Sequence, residues 1–134
     1  MAIGVTSQQH QSTFLRRALQ LDGAFSGLSG IGLAIAAGPA SAFLGLDQPG
    51  IMLVLGLILI LYGGTLLYSA AQDRLDRRFA ATVIALNIAW VVGSGLILFT
   101  PWLPLTVGGW WAVALVADAV AVFAALQYYG LRRL

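Results

Sequence analysis

The chain has 134 residues, of which 60% are hydrophobic and only 9% charged, with a mean hydropathy of +0.90. Soluble domains average about 25% charged residues, so this composition predicts a single domain whose solvent is lipid. The chain has no cysteine and one histidine, His10, in a polar tail, which excludes disulfides, thiol chemistry and histidine-ligated cofactors inside the membrane.

Four apolar segments follow a short polar one. We expect residues 1–13 to form a flexible cytoplasmic tail, with Ser12 or Thr13 as the first N-cap, and residues 14–134 to form a four-span domain. The spans cover roughly residues 15–38, 51–71, 79–100 and 105–130, close to the ~20 helical residues that cross a bilayer. Gly38-Pro39 should end or kink the first span and leave residues 40–46 at the far interface.

The arginines orient these spans. All seven basic residues are arginines, and they lie before the first span, between the second and third, and after the fourth. The positive-inside rule then places both termini of an all-α, multi-pass four-helix bundle in the cytoplasm. Because the chain has no Lys or Glu and is rich in Ala, we expect it to be bacterial and to lie in the inner membrane. The i,i+4 spacing of Asp73 and Arg77 suggests that the cytoplasmic connection stays helical.

A signal peptide is the competing interpretation of the first span. Arg16-Arg17, an apolar stretch and Ala40-Ser41-Ala42 resemble an export signal with its cleavage site. The apolar stretch is longer than a usual signal core and contains Asp22. We therefore expect the first span to be retained.

Three polar residues are costly at membrane depth and form the candidate intramembrane site: Asp22, Asn87 and Asp118. Asp22 lies near the arginines and shares its helix face with Ser26. Asn87 is the type of residue that hydrogen-bonds between membrane helices. Asp118 is the deepest, and we expect it to be protonated and hydrogen-bonded to another helix, with Asn87 nearest in depth. Gln127 is roughly opposite Asp118 around its helix and is not grouped with it.

Small residues mark helix faces suited to close packing. Gly23, Gly27 and Gly30 form a stripe on the first span, with one GxxxG match, and Gly56 and Gly63 mark a face of the second span. Packing within the protein is the expected use of these faces.

The chain resembles a widespread set of uncharacterised bacterial four-span membrane proteins. The similarity lies in LRRALQLDGAFSGL at residues 15–28, GPA at 38–40, LGL at 44–46, NIAW at 87–90 and LQYYGLRR at 126–133. The resemblance implies a four-helix membrane fold and carries no established activity, so it transfers no functional residues.

These observations favour a non-enzymatic protein without a cofactor or metal site. We expect a structural or accessory membrane protein, surrounded by lipid, that forms a homo-oligomer or joins a larger membrane complex, and we expect no nucleic-acid partner. The alternative is a small proton-coupled transporter or channel that uses an intramembrane Asp.

Overall fold

The chain folds into α-helices joined by short connections. The structure is a computed structural model that describes the backbone of residues 2–133 and the side chains of residues 13–133. In this part of the chain there are five helices and no strand: α1 (Ala2–Ile35), α2 (Ala37–Leu44), α3 (Pro49–Ala70), α4 (Arg77–Leu98) and α5 (Val107–Arg132). The predicted all-α fold is therefore confirmed.

Four helical stretches are long and apolar enough to cross a membrane: Thr13–Ile35, Pro49–Ala70, Arg77–Leu98 and Val107–Arg132. Their outward faces carry large apolar side chains. Leu28, Ile35, Leu61, Phe99 and Val107 are each at least 70% exposed. Such a surface is stable in contact with lipid tails rather than water, so the fold is that of a multi-pass membrane protein.

The first helix begins earlier than the sequence suggested. It starts at Ala2 and runs through Ser12 and Thr13, so neither residue is an N-cap, and residues 2–13 are helical where a tail was expected. The physical reason is that this segment contains no proline and only one glycine, so nothing in it interrupts the helix. Met1 lies outside the described residues.

The chain breaks just before Gly38-Pro39 rather than at it. The first helix ends at Ile35, and Pro39 lies in the first turn of α2, where a missing N–H removes no intrahelical hydrogen bond. Most of the segment expected as an interfacial stretch therefore forms a short helix. It ends at Gly45, whose φ of 87° is a conformation that glycine adopts without strain.

Arg16 fixes the end of α3. Its guanidinium donates to the backbone carbonyls of Ala70, Gln72 and Asp73, which belong to the last turn of α3 and the connection after it. Because those carbonyls have no partner further along the helix, the arginine takes the place of a helix cap. We call this end of the bundle, where α1 meets the α3–α4 connection and the end of α5, the arginine end.

The connection from α3 to α4 is not helical, so the helical continuation expected from Asp73 and Arg77 was wrong. A new helix, α4, begins instead after Asp76, which is its N-cap. The backbone of Asp76 is extended, and its carboxylate accepts from Arg78 N–H at 2.9 Å. The two membrane helices on either side are thus separate elements.

Helices α1 and α3 pack closely through glycine. A Cβ added at Gly30 would lie 2.5 Å from the carbonyl oxygen of Gly56, and one added at Gly63 would lie 2.5 Å from that of Gly23. Gly27 differs, since a Cβ there would meet no atom within 4 Å. The predicted packing stripe therefore faces α3 at Gly23 and Gly30. At Gly27 the backbone lies against Gly63 of α3, but a side chain would point into open space.

The helices form two pairs. One pair is α1 with α3, the other is α4 with α5, and α1 packs against α5 to join them. Within the described residues, no α-carbon of α3 lies within 8 Å of an α-carbon of α4. The arginine end is filled by a buried apolar cluster that includes Leu15, Leu19 and Leu66. The other half of the interior is more open, which positions the site described next.

Candidate functional site

Four membrane helices contribute side chains to one buried polar cluster. It consists of Asp22 and Ser26 from α1, Tyr62 from α3, Asn87 from α4 and Gln127 from α5. Asp22 is 1% exposed, Asn87 is 4% exposed and Gln127 is fully buried. We refer to these five residues as the polar cluster.

Two side-chain amides hold the carboxylate of Asp22. Its Oδ2 accepts from Asn87 Nδ2 and from Gln127 Nε2, each at 2.8 Å. Its Oδ1 accepts one longer hydrogen bond, from Ser26 Oγ at 3.3 Å. The two carboxylate oxygens are therefore unequally engaged, and Oδ1 retains more capacity to accept a further donor.

The amides are themselves positioned by the rest of the cluster. Asn87 Nδ2 donates its second N–H to Gln127 Oε1 at 2.9 Å, and the hydroxyl of Tyr62 donates to Asn87 Oδ1 at 2.9 Å. Every buried side-chain nitrogen and oxygen in the described part of the chain has a hydrogen-bond partner. A satisfied network of this kind fixes the relative rotation of the helices that carry it.

The structure brings together two of the three polar residues predicted from the sequence. Asp22 and Asn87 bond directly, but Asp118 lies on the exposed face of α5 and takes no part in the cluster. The partner expected for Asp118 was Asn87, whose described hydrogen bonds go to other residues. Depth along the helix did not determine the facing direction, since Asp118 is exposed on α5 while Asn87 is buried.

Gln127 and Tyr62 were not included in the predicted site. Gln127 lies five residues before Arg132, and Asp22 lies five residues after Arg17, so both are about 7–8 Å from an arginine along their helices. Matching depths from the arginine end would have paired them. No sequence signal marks Tyr62, because a tyrosine in an apolar helix is equally consistent with lipid contact.

A cavity of about 530 Å³ adjoins the polar cluster. Ligand pockets in proteins generally measure about 300–1,000 Å³ and are mostly apolar with a few polar groups. Six of its lining residues are polar: Asp22, Ser26, Ser29, Tyr62, Asn87 and Ser94. The rest is largely aliphatic and aromatic: Phe25, Leu33, Leu44, Met52, Leu55, Ile58, Leu59, Leu86, Trp90, Ala112, Val113, Val116 and Val120.

The cavity opens sideways, between α3 and α4. Its lining residues Ile58, Leu86 and Trp90 are 56%, 52% and 36% exposed, and they lie on the two helices that have no α-carbons within 8 Å of each other. In a bilayer this opening would face acyl chains. At the end away from the arginines, α2 closes the bundle, where Thr106 N–H donates to Leu44 O at 3.1 Å.

No protein-family model, no curated protein and no solved structure matches the chain. The properties of the site therefore rest on its own geometry. It offers a carboxylate acceptor, hydroxyl and amide groups, and an apolar chamber reached from the side. No group of three or more His, Cys, Asp or Glu residues that could hold a metal ion occurs among the described residues.

Proposed function

We propose that the protein is a non-enzymatic membrane protein that binds a lipophilic small molecule taken from the bilayer. The observation that carries this proposal is the cavity of about 530 Å³ with a lateral opening and a single buried polar cluster. Apolar walls accommodate a hydrocarbon body, and a small number of fixed polar groups orient its polar end. Such a protein would act as an accessory or carrier component of the membrane.

The membrane proposed is the bacterial inner membrane, with both termini in the cytoplasm. The distribution of arginines supports this orientation, since it places every basic residue on one side of four spans. The resemblance to uncharacterised bacterial four-span proteins is consistent with it. The arginine end would then be cytoplasmic and the cavity would lie mostly in the outer half of the bilayer.

The test uses Trp90, which lines the cavity. In a variant with Trp102, Trp110 and Trp111 changed to Phe, fluorescence reports Trp90 alone. The probe 10-bromodecan-1-ol quenches tryptophan on contact, so binding in the cavity should give a saturable quench above the linear quench by probe dissolved in detergent. Absence of a saturable component would contradict the proposal.

A matched pair of substitutions locates the binding. Ala112 lines the cavity, whereas Ala85 is exposed on α4 and does not line it. Ala112→Phe should remove the saturable quench because the ring occupies the chamber, and Ala85→Phe should retain it. Equal behaviour of the two variants would place the probe elsewhere.

Proton-coupled transport is the second candidate function. The observation that favours it is that a carboxyl group, Asp22, forms part of the cavity wall, so ligand and proton would compete for one group. Asp118 no longer fits this role, since it faces away from the cavity. A flux of ligand driven by a pH gradient in liposomes, abolished by Asp22→Asn, would support transport over simple binding.

A further inference from the structure

We infer that the ligand of the cavity is a lipophilic amine, bound as its ammonium ion with the charged nitrogen at Asp22 Oδ1. The inference rests on the proposed function and names its ligand class. It follows from the charge balance around Asp22, from the unequal use of its two oxygens and from the nature of the surrounding wall.

The first observation is the charge of the partners. All three side chains that donate to Asp22 in the described structure are neutral: Ser26, Asn87 and Gln127. Buried carboxylates in proteins are generally paired with a cation or held neutral by a proton. The described site thus supplies three donors to one carboxyl group but no cationic side chain to balance its charge.

The second observation is where the two arginines of α1 lie. Arg17, five residues before Asp22, is exposed. Arg16 lies six residues before Asp22 on α1, but its guanidinium donates to carbonyls at the end of α3. Those contacts turn it toward the arginine end and away from the cavity. The positive charge that would balance Asp22 is therefore most simply supplied by a bound molecule.

The third observation is the geometry of the vacant acceptor sites. Oδ2 accepts two hydrogen bonds of 2.8 Å, while Oδ1 has only the 3.3 Å bond from Ser26. A protonated amine has N–H donors that form charge-assisted hydrogen bonds with such an oxygen. An anionic head group would be repelled there, and an alcohol would form a weaker, uncharged hydrogen bond.

The fourth observation is the aromatic and aliphatic wall of the cavity that Asp22 also lines. Trp90, Tyr62 and Phe25 line the cavity together with Leu55 and Val116. Aromatic rings attract cations and accept alkyl chains, so an amine with a hydrocarbon tail matches both parts of the site. A hydrophilic cation would leave this wall without a partner.

The experiment compares two probes of equal length that differ only in head group. In the variant with Trp90 as the sole tryptophan, 10-bromodecylamine at neutral pH should reach half-maximal saturable quenching at a concentration about tenfold or more below that of 10-bromodecan-1-ol. This factor is what one hydrogen bond to a charged group generally contributes. Equal half-maximal concentrations would overturn the inference and leave the proposed cavity binding intact.

Two carboxylate variants complete the test. Asp22→Asn should abolish the preference for the amine, because the amide has no charge to pair with an ammonium ion, while its oxygen can still accept from Asn87 and Gln127. Asp118→Asn removes a carboxyl group from the exposed face of α5 and should keep the preference. A preference that survives in Asp22→Asn would overturn the inference. Lack of saturable quenching by either probe in the parent protein would overturn the proposed function as well.

Discussion

Gln127 connects two other buried polar side chains of the bundle, Asp22 and Asn87. It donates to Asp22 and accepts from Asn87, and it is fully buried. A side-chain amide can do both at once because it carries a donor and an acceptor, whereas a hydrophobic residue of similar size can do neither. The carboxylate of Asp22 therefore depends on a residue in a helix more than one hundred positions away in sequence.

Replacing Gln127 by Leu should destabilise the protein. The change removes one donor to Asp22 and one acceptor from Asn87, so the expected loss is about 1–3 kcal/mol of unfolding free energy. Thermal unfolding in detergent, followed by circular dichroism, measures it. Gln20→Leu is the matched control, since Gln20 is exposed on α1, and it should leave the melting temperature nearly unchanged. Similar melting curves for the parent protein and Gln127→Leu would show that the cluster contributes little.

Single residues also show how far the sequence predicted the site. Asp22 and Asn87 were recognisable because a polar side chain in an apolar helix is costly unless it has a partner. The partners themselves were not predictable, because a rotation of α5 by half a turn would point Asp118 inward and Gln127 outward. That rotation is set by packing between helices, which no single helix encodes.

At the scale of helices, the seam between α1 and α3 is determined by glycine. Gly56 and Gly63 of α3 oppose Gly30 and Gly23 of α1, and added Cβ atoms would lie 2.5–3.0 Å from backbone atoms of the opposite helix. Membrane helices gain most of their association energy from such close contact, since lipid provides no hydrophobic force between them. The sequence predicted these packing faces but not their pairing.

Adjacent glycines of α3 provide a matched test of this seam. Gly63→Ala should destabilise the protein by about 1–3 kcal/mol, because its Cβ would lie 2.5 Å from Gly23 O and 2.6 Å from Gly27 N. Gly64→Ala should be neutral or stabilising by up to about 1 kcal/mol, since an added Cβ there meets no atom within 4 Å. Both are measured by thermal unfolding in detergent, and equal effects would argue against a tight α1–α3 seam.

At the scale of the whole molecule, the predicted bounds of the four spans agree with the observed helices to within a few residues. The short helix α2 and the start of α1 at Ala2 were not predicted. Long apolar runs are specified by the membrane thickness and so are readable from composition. Short helices depend on local capping, such as the turn at Gly45, and on contacts with α5, which composition does not reveal.

Exposed Asp118 leads to a prediction about assembly. A carboxyl group at the centre of a lipid-facing helix costs about 2.5–3.5 kcal/mol, and a second copy of the chain would relieve this by a shared hydrogen bond between two such groups. The chain has no cysteine, so Leu115→Cys, an exposed position one turn before Asp118, should form disulfide dimers in membranes. Leu61→Cys on α3, also exposed, should form few. Dimers that persist when Asp118→Leu is added would exclude this role for the carboxyl group.

The orientation of the bundle gives the last prediction. With the arginines on the cytoplasmic side, reporter fusions at Gly50 and Pro104 should be active in the periplasm, and a fusion at Arg74 should be active in the cytoplasm. A periplasmic signal at Arg74 would reverse the assignment and place the cavity in the inner half of the bilayer.

The gap between α3 and α4 has a thermodynamic consequence for selectivity. A site that exchanges with lipid rather than with water responds to the concentration of a molecule in the membrane. Partitioning of that molecule from water into the membrane becomes more favourable by about 0.8 kcal/mol for each methylene group. Tail length then sets how much ligand the bilayer holds, and transfer from lipid into an apolar chamber adds little further discrimination by tail. Selectivity among molecules dissolved in the membrane is therefore determined by the head group, which the few polar atoms around Asp22 recognise.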